Sequence, residues 1–155
     1  MGFGDIASTT IMFIAVLSAA TLLAFVFNNY ASSTTSSINT RQAYLANQLK
    51  TDINIENVVY NTTQGSVKVY VRNTGDAKLD VEYISAFIAN EWLNNNTDET
   101  SIQVISDTDT LNIGVWDPKE ILLIDTNLSI SAGTSYDAIV VTQYGVKDSY
   151  EFSVS

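Results

Sequence analysis

Three Asn-x-Ser/Thr sequons are the residues whose spacing most directly indicates chemistry. They are Asn61-Thr62-Thr63, Asn95-Asn96-Thr97 and Asn127-Leu128-Ser129. This spacing marks acceptors for N-glycosylation on the exposed surface of an exported protein. We therefore predict N-glycosylation at Asn61, Asn95 and Asn127. The alternative is that these sequons arise by chance in a chain rich in Asn and Thr.

Two short acidic groups are the candidates for metal binding. Asp98-Glu99 and Asp107-Thr108-Asp109 lie in turn-like segments and could offer oxygen ligands to calcium. The spacing of an EF-hand loop is missing, so we interpret both groups as solvated acidic loops and assign no metal ligand. Paired carboxylates can also hydrolyse glycosides, but the pattern identifies no cleft, and we assign no catalytic residue.

The composition excludes several classes of function. The chain has no Cys and no His, which excludes a thiolate nucleophile, the usual zinc sites and an imidazole base. We predict that the protein is not an enzyme and needs no cofactor. The net charge of -10 disfavours nucleic acid as a partner, because the phosphate backbone is itself negative.

The charges divide the chain into two unlike parts. Asp5 is the only ionisable side chain before Arg41, and residues 6–27 form an uncharged apolar run. As a helix this run would be roughly 33 Å long, close to the thickness of the hydrocarbon core of a bilayer. We predict a tail over residues 1–5 and a retained transmembrane helix over residues 6–27, with a buried helix of a soluble protein or filament as the alternative.

The orientation follows less directly from the positive-inside rule. No basic residue precedes the span, and only Arg41 and Lys50 follow it closely. A long domain translocates largely regardless of such charges, and all three sequons follow the span. We therefore predict a single-pass protein of the cell membrane whose C-terminal domain lies outside the cytoplasm.

A polar segment separates the apolar run from the rest of the chain. Residues 28–50 contain neither Gly nor Pro, and Ile38, Gln42, Leu45 and Leu49 recur at heptad-like spacing. A narrow apolar stripe of this kind fits a helical stalk that can contact a partner helix. A frayed Ser/Thr linker is the alternative.

Alternating polarity predicts a β-domain over residues 51–155. In Ser66–Asn73, for example, Val67, Val69 and Val71 alternate with polar side chains, as in a half-buried strand. We predict strands at Ile53–Tyr60, Ser66–Asn73, Leu79–Tyr83, Ile84–Ala89, Ile102–Ile105, Leu111–Val115, Glu120–Leu123, Asn127–Ile130, Asp137–Gln143 and Ser149–Val154. So many short strands, without helices between them, are typical of an immunoglobulin-like antiparallel β-sandwich, an all-β fold.

Two further features concern the β-domain. Asp117-Pro118-Lys119-Glu120 predicts a turn before a strand, because Pro sets the bend. Trp92 and Trp116 are candidates for core anchors or interface hot spots, and we expect the core to bury at least one of them.

Several segments together resemble a known family. They are the start Met1-Gly2-Phe3-Gly4 leading into the span, the junction from Leu49 to Ile55, and the strand and turn from Val67 to Gly75. Over roughly residues 1–90 the chain resembles the archaellum stator proteins F and G, with the short N-terminus more similar to F. This resemblance implies an external immunoglobulin-like domain that works with a sister stator subunit and a surface-layer protein as the fixed part of a rotary motor, in a homo- or hetero-oligomer.

A filament subunit is the alternative within the same machinery. Archaellins and type IV-like pilins also carry an apolar N-terminal helix followed by a β-domain, and Asp5 is similar to the acidic residue near the start of mature pilins. Their precursors have a basic pre-sequence, whereas no Lys or Arg precedes Arg41 here. Another surface-anchored β-domain is the third alternative.

Overall fold

The N-terminal part of the chain is a long helix. The structure is a computed structural model that describes residues 2–94 and 99–154. Helix α1 runs over Phe3–Lys50, a stretch that contains no Pro and only one Gly, Gly4. Asp5 in its first turn and Lys50 in its last turn both suit the helix dipole. The chain divides into two compact units, Met1–Ala43 and Tyr44–Ser155, so the last turns of α1 belong to the second unit.

The second unit contains two antiparallel sheets of four strands each. The strands are β1 Ile53–Asn61, β2 Ser66–Asn73, β3 Ser85–Ile88, β4 Glu91–Leu93, β5 Thr100–Val104, β6 Ile121–Asn127, β7 Ser135–Val141 and β8 Lys147–Ser153. The first sheet has the order β1-β2-β6-β5 and the second has the order β4-β3-β7-β8. A short 3-10 helix, η1, covers Val81–Tyr83.

One hydrophobic cluster joins the buried faces of the two sheets. The first sheet contributes mainly β-branched residues, as expected for strands. The buried strand residues are Ile53, Ile55, Val67, Val69, Val71, Ile102, Val104, Leu122 and Ile124 of the first sheet and Ala86, Ile88, Leu93, Ala138, Val140 and Phe152 of the second. A hydrogen bond from the backbone N–H of Ile55 to Asp148 Oδ2, 2.7 Å long, also connects β1 with β8.

Three of the predicted strands are wrong. Leu79–Tyr83 contains an isolated bridge from Leu79 to Trp116 and then η1, which begins because the Asp80 side chain accepts a hydrogen bond from the backbone N–H of Glu82. Residues 111–115 form turns instead of a strand. Residues 128–130 lie beyond the end of β6, which begins at Ile121 and takes in Asn127.

Strand β4 has no counterpart among the predicted strands. It is only three residues long and follows β3 through the two-residue turn Ala89-Asn90. Both turn residues have positive φ, 51° and 69°, as a tight hairpin turn of the primed type requires. The usual sequence signal for this turn is a Gly, and this turn has none.

Candidate functional site

The surface of the apolar part of α1 is the first candidate site. Its large side chains between Ile6 and Phe27 are all at least half exposed in the single chain. Ile14 and Leu17 accept hydrogen bonds at their carbonyl oxygens from Ser18 Oγ (2.8 Å) and Thr21 Oγ1 (2.7 Å), so these hydroxyl groups need no water. The helix is long and apolar enough to cross a membrane, and it is the one candidate span among the described residues. Its surface is suited to lipid or to packing with other apolar helices.

The last turn of α1 ends in a capped junction with β1. The Thr51 side chain donates a hydrogen bond to the carbonyl oxygen of Asn47 (2.7 Å), and the Thr51 backbone N–H donates to that of Gln48 (3.2 Å). Thr51 is buried, so these two hydrogen bonds are shielded from water and the helix ends at a defined residue.

The β7–β8 turn contacts the same end of the helix. Gln48 Nε2 donates a hydrogen bond to the carbonyl oxygen of Tyr144 (2.8 Å), and Asn47 Nδ2 donates to the Tyr144 hydroxyl (3.2 Å). The rings of Tyr44 and Tyr144 meet edge to face, with their centroids 5.6 Å apart. Three side chains from two helical turns thus hold one tyrosine, which ties Tyr44–Gln48 to the second sheet.

The turn after β2 closes the other side of the junction. The carbonyl oxygen of Lys50 accepts hydrogen bonds from the backbone N–H groups of Asp76 (2.8 Å) and Ala77 (3.1 Å). The carbonyl oxygen of Asp52 accepts hydrogen bonds from the backbone N–H groups of Thr74 (3.0 Å) and Gly75 (2.9 Å). A Cβ at Gly75 would lie 2.4 Å from both Lys50 O and Asp52 N, so the turn can approach this closely only with glycine.

Asn73 connects this turn to the core. Its side chain is fully buried and donates hydrogen bonds from Nδ2 to the carbonyl oxygens of Ala77 (2.8 Å) and Trp116 (3.2 Å). Asn73 Oδ1 accepts one from the backbone N–H of Gly75 (3.1 Å). The polar atoms of this side chain are therefore paired, as burial requires.

The segment after Trp116 extends the network with two buried carboxylates. Glu120 accepts hydrogen bonds from the backbone N–H groups of Thr110 (3.1 Å) and Asp117 (2.9 Å). Asp117 is 0% exposed, lies 3.2 Å from Lys78 Nζ and accepts a bond of 2.7 Å from Asn112. The predicted turn at 117–120 is confirmed, with a bond of 3.2 Å from the Glu120 N–H to the Asp117 carbonyl oxygen. The burial of its carboxylates gives it a structural role.

The chain matches known proteins over nearly its whole length. The family model for archaeal-type flagellin matches residues 2–152. The chain belongs to the archaeal-type flagellin family. An uncharacterized protein from Archaeoglobus fulgidus is 24% identical over 166 residues, which cover 99% of this chain and 98% of that protein.

Two solved structures have similar folds. The archaeal flagellum of Methanospirillum hungatei strain JF1 matches with a TM-score of 0.65 and 14% identity, covering 96% of this chain and 93% of that chain. The archaellum periplasmic stator protein FlaG from Sulfolobus acidocaldarius matches with a TM-score of 0.51 and 15% identity, covering 66% of this chain and 99% of that chain. The predicted resemblance to archaellum proteins is therefore confirmed. Members of this family are structural components of the archaellum, which is the class expected for this chain.

Two of the three sequons lie at one end of the first sheet. Asn61 pairs with Ser66 at the end of β1, and Ser66 pairs with Asn127 at the end of β6. Asn61 Oδ1 accepts hydrogen bonds from the N–H groups of Thr63 (3.0 Å) and Gln64 (3.2 Å), and Asn127 is exposed. The sequon at Asn95 lies outside the described residues.

The two tryptophans have opposite environments. Trp116 is fully buried, and its Nε1 donates a hydrogen bond of 2.9 Å to the carbonyl oxygen of Glu120. This confirms that the core buries at least one Trp. Trp92 is 58% exposed on the second sheet, so it is a surface residue.

The acidic groups do not converge on a metal site in the described part of the chain. Residues 2–94 and 99–154 contain no group of three or more Asp or Glu side chains placed to hold an ion. Asp98 lies outside these residues, and Glu99 and Asp107 are exposed. Asp109 instead accepts a hydrogen bond of 2.8 Å from the backbone N–H of Gly114.

The outer face of the first sheet carries paired charges. Lys68 Nζ lies 3.2 Å from Asp125 Oδ2, and Arg72 is hydrogen-bonded to Glu56. The Glu56 carboxylate, chiefly through this hydrogen bond, raises the pKa of the Arg72 guanidinium above its ordinary value. Arg72 also donates to the carbonyl oxygen of Lys119 (2.8 Å), which joins this face to the 117–120 turn.

Proposed function

We propose that this protein is a membrane-anchored stator subunit of the archaellum, which links the rotary motor to the surface layer. The apolar surface of α1 supports anchoring in lipid, because the hydroxyl groups of Thr10, Ser18 and Thr21 bond within the helix. The β-domain, an immunoglobulin-like sandwich in this proposal, would lie in the extracytoplasmic space and contact a sister stator subunit and a surface-layer protein. The fold shared with FlaG over 99% of that stator chain carries the proposal.

The junction at Lys50 supports a load-bearing role. The last turns of the anchoring helix must not detach from the domain that contacts the wall. Four backbone hydrogen bonds to Lys50 and Asp52, together with the contacts to Tyr144, hold the last turns of α1 on the sheets. A flexible linker would instead carry Gly and Ser without such bonds.

A filament subunit is the second candidate. The observation in its favour is the match to the archaeal flagellum of Methanospirillum hungatei, which covers 96% of this chain and therefore includes α1. In a filament, the apolar side chains of α1 would be covered by the helices of neighbouring subunits.

Gene deletion in a motile host tests the choice between these roles. If the stator proposal is correct, the deletion strain assembles filaments of unchanged major composition but does not swim, because its motor has no fixed part. Complementation with the wild-type gene should restore swimming. If the chain is instead the bulk component of purified filaments, the stator proposal is wrong and the filament subunit is correct.

We also propose N-glycosylation at Asn61, Asn95 and Asn127. The placement of Asn61 and Asn127 at one end of the first sheet supports this, since glycans there leave both outer sheet faces open. Mass spectrometry of the protein from its own host tests the proposal.

A further inference from the structure

The middle of helix α1 is a run of residues that favour a helix only weakly. We call residues 28–40 the Ser/Thr segment. Apart from Ala31, its twelve residues are Asn, Ser, Thr, Tyr or Ile, all of which have a lower helix propensity than Ala, Leu or Lys. Their side chains either compete for backbone hydrogen bonds or lose rotamer freedom in a helix. The helical state of this segment therefore depends on what surrounds it.

The surface of the Ser/Thr segment is open to solvent in the single chain. All of its residues except the half-buried Ala31 are exposed. The segment contains no charged side chain, so no ion pair between residues four apart supports it. The hydroxyl groups of Ser37 and Thr40 donate hydrogen bonds to the carbonyl oxygens of Ser33 (2.9 Å) and Ser36 (3.0 Å), a pattern that slightly destabilises a helix.

Both ends of α1 are better supported than this middle part. On the N-terminal side, the apolar residues 6–27 lie in lipid or among other helices, where an α-helix is required to pair the backbone groups. On the C-terminal side, Asn47 and Gln48 bond to Tyr144, and Thr51 caps the last turn. Opening of α1 is therefore most favourable within the Ser/Thr segment, where it creates two new helix ends.

Two opposing factors set the balance between helix and coil in this segment. Each of these residue types propagates a helix about two- to threefold less well than Ala, with a propagation constant of about 0.6. Over twelve such residues this disfavours the helix by roughly 500-fold. Opening a coil inside a helix costs the nucleation factor, about 250- to 1000-fold. The two factors cancel to within a few-fold, so both forms are populated in water.

We propose that the Ser/Thr segment is a conditional helix, which exchanges between a helical and an open form in water and stays helical where neighbouring helices cover it. As a helix the segment is about 20 Å long, whereas the extended chain reaches about 45 Å, so opening changes the reach of the β-domain. The proposal goes beyond the proposed function. A stator anchored in lipid would use the open form as a tether, and a filament subunit would keep the helical form.

Contact with a neighbouring helix is enough to close the segment. Tyr30 is 72% exposed and Ile38 is 49% exposed, so both side chains have apolar surface left to bury. Full burial of one such side chain shifts an equilibrium by at least roughly tenfold. Because the two forms are nearly balanced in water, a shift of this size makes the helix the dominant form.

Pulsed electron paramagnetic resonance on the full chain in detergent micelles tests the proposal. The sequence contains no cysteine, so nitroxide labels attach only where a cysteine is introduced. The variant with Asn28→Cys and Arg41→Cys carries labels at either end of the Ser/Thr segment. The variant with Ser8→Cys and Thr21→Cys is the matched control, since it has the same spacing within the apolar run. Labelled chain is diluted with unlabelled chain, so that only distances within one chain are measured.

The width of the distance distribution is the deciding quantity. In a continuous helix both pairs of backbone positions are about 20 Å apart, and both distributions are narrow. We expect a narrow distribution for the control pair and one roughly twice as wide for the pair across the Ser/Thr segment, because an open chain samples many end-to-end distances. Equal widths would overturn the proposal, since they would show that the segment is a helix without any cover.

Alanine substitution tests whether the width comes from the exchange between helix and coil. Five exposed residues that donate no side-chain hydrogen bond are replaced together, by Ser32→Ala, Ser33→Ala, Thr34→Ala, Thr35→Ala and Ser36→Ala. The higher helix propensity of Ala should shift the equilibrium toward the helix by roughly 50- to 100-fold. The distribution should then become as narrow as that of the control, and circular dichroism should show a gain in helix content. A distribution that stays wide, or an unchanged helix content, would show that the proposal is wrong.

Discussion

Replacing Gly75 with alanine should destabilise the junction through backbone overlap alone. The added Cβ would lie 2.4 Å from Lys50 O and from Asp52 N, about 1 Å closer than ordinary van der Waals contact. Both of these atoms belong to the backbone, so rotation of a side chain cannot relieve the overlap. The turn at residues 74–77 must therefore move away from the residues that end α1 and begin β1.

The hydrogen bonds at this point set the size of the effect. The movement would stretch the four bonds from Thr74, Gly75, Asp76 and Ala77, each with a net value of about 1 kcal/mol. Loss of two to four of these bonds should lower the free energy of unfolding by about 3 kcal/mol. For a β-domain of this size that corresponds to a fall in Tm of roughly 12 °C.

Urea and thermal unfolding of the full chain, followed by circular dichroism, measure this loss. Gly133→Ala is the matched control, because Gly133 has a φ of +80° and no neighbour within 4 Å of an added Cβ. It should lose only about 1 kcal/mol, from backbone strain. If Gly75→Ala lowers the free energy of unfolding no more than this control, the turn accommodates the added Cβ freely and the junction is not rigid.

Three further predictions concern the core, the 117–120 turn and the sequons. Trp116→Phe should lower the free energy of unfolding by about 2 kcal/mol in a urea titration, because it removes core volume and the hydrogen bond to Glu120. Trp92→Phe is the control and should change this free energy by less than about 0.5 kcal/mol. Lys119→Gly should raise the free energy of unfolding by about 0.5 kcal/mol, because Lys119 has a φ of +76°, which glycine adopts without strain. A decrease would contradict this account of the turn. Thr63→Ala and Ser129→Ala should each lower the mass of the protein from its host by one glycan, and unchanged masses beyond the substitution itself would disprove glycosylation at those sequons.

The local pattern of the sequence predicts the regular strands well. The alternation of Val67, Val69 and Val71 predicts β2 with its observed bounds, because one face of the strand is buried and the other is only half-buried. The segment 111–115 alternates in the same way, yet Leu111 and Ile113 are exposed, the latter by 92%. Asp109 there bonds to the N–H of Gly114, and Asn112 bonds to Asp117, so side-chain contacts determine the loop and override the alternation.

The junction and the exposure of Trp92 depend on contacts that no local pattern reveals. The sequence predicts a turn at Gly75, but the need for glycine there arises from the approach of Lys50, which is 25 residues away. The burial of Asp117 likewise depends on Lys78, which is distant in sequence. The exposure of Trp92 also depends on distant contacts, since it becomes evident only once β4 is placed at the edge of the second sheet.

The two proposed roles differ in what covers the apolar part of α1. Both lipid and neighbouring helices are apolar, and the hydroxyl groups bonded within the helix suit either environment. The junction is equally useful in both, since it holds the last turns of α1 on the β-domain in either role. The β-domain cannot decide the question either, because both matched structures share its fold. The position of the protein in the cell is therefore the decisive observation, and the composition of purified filaments is the direct way to obtain it.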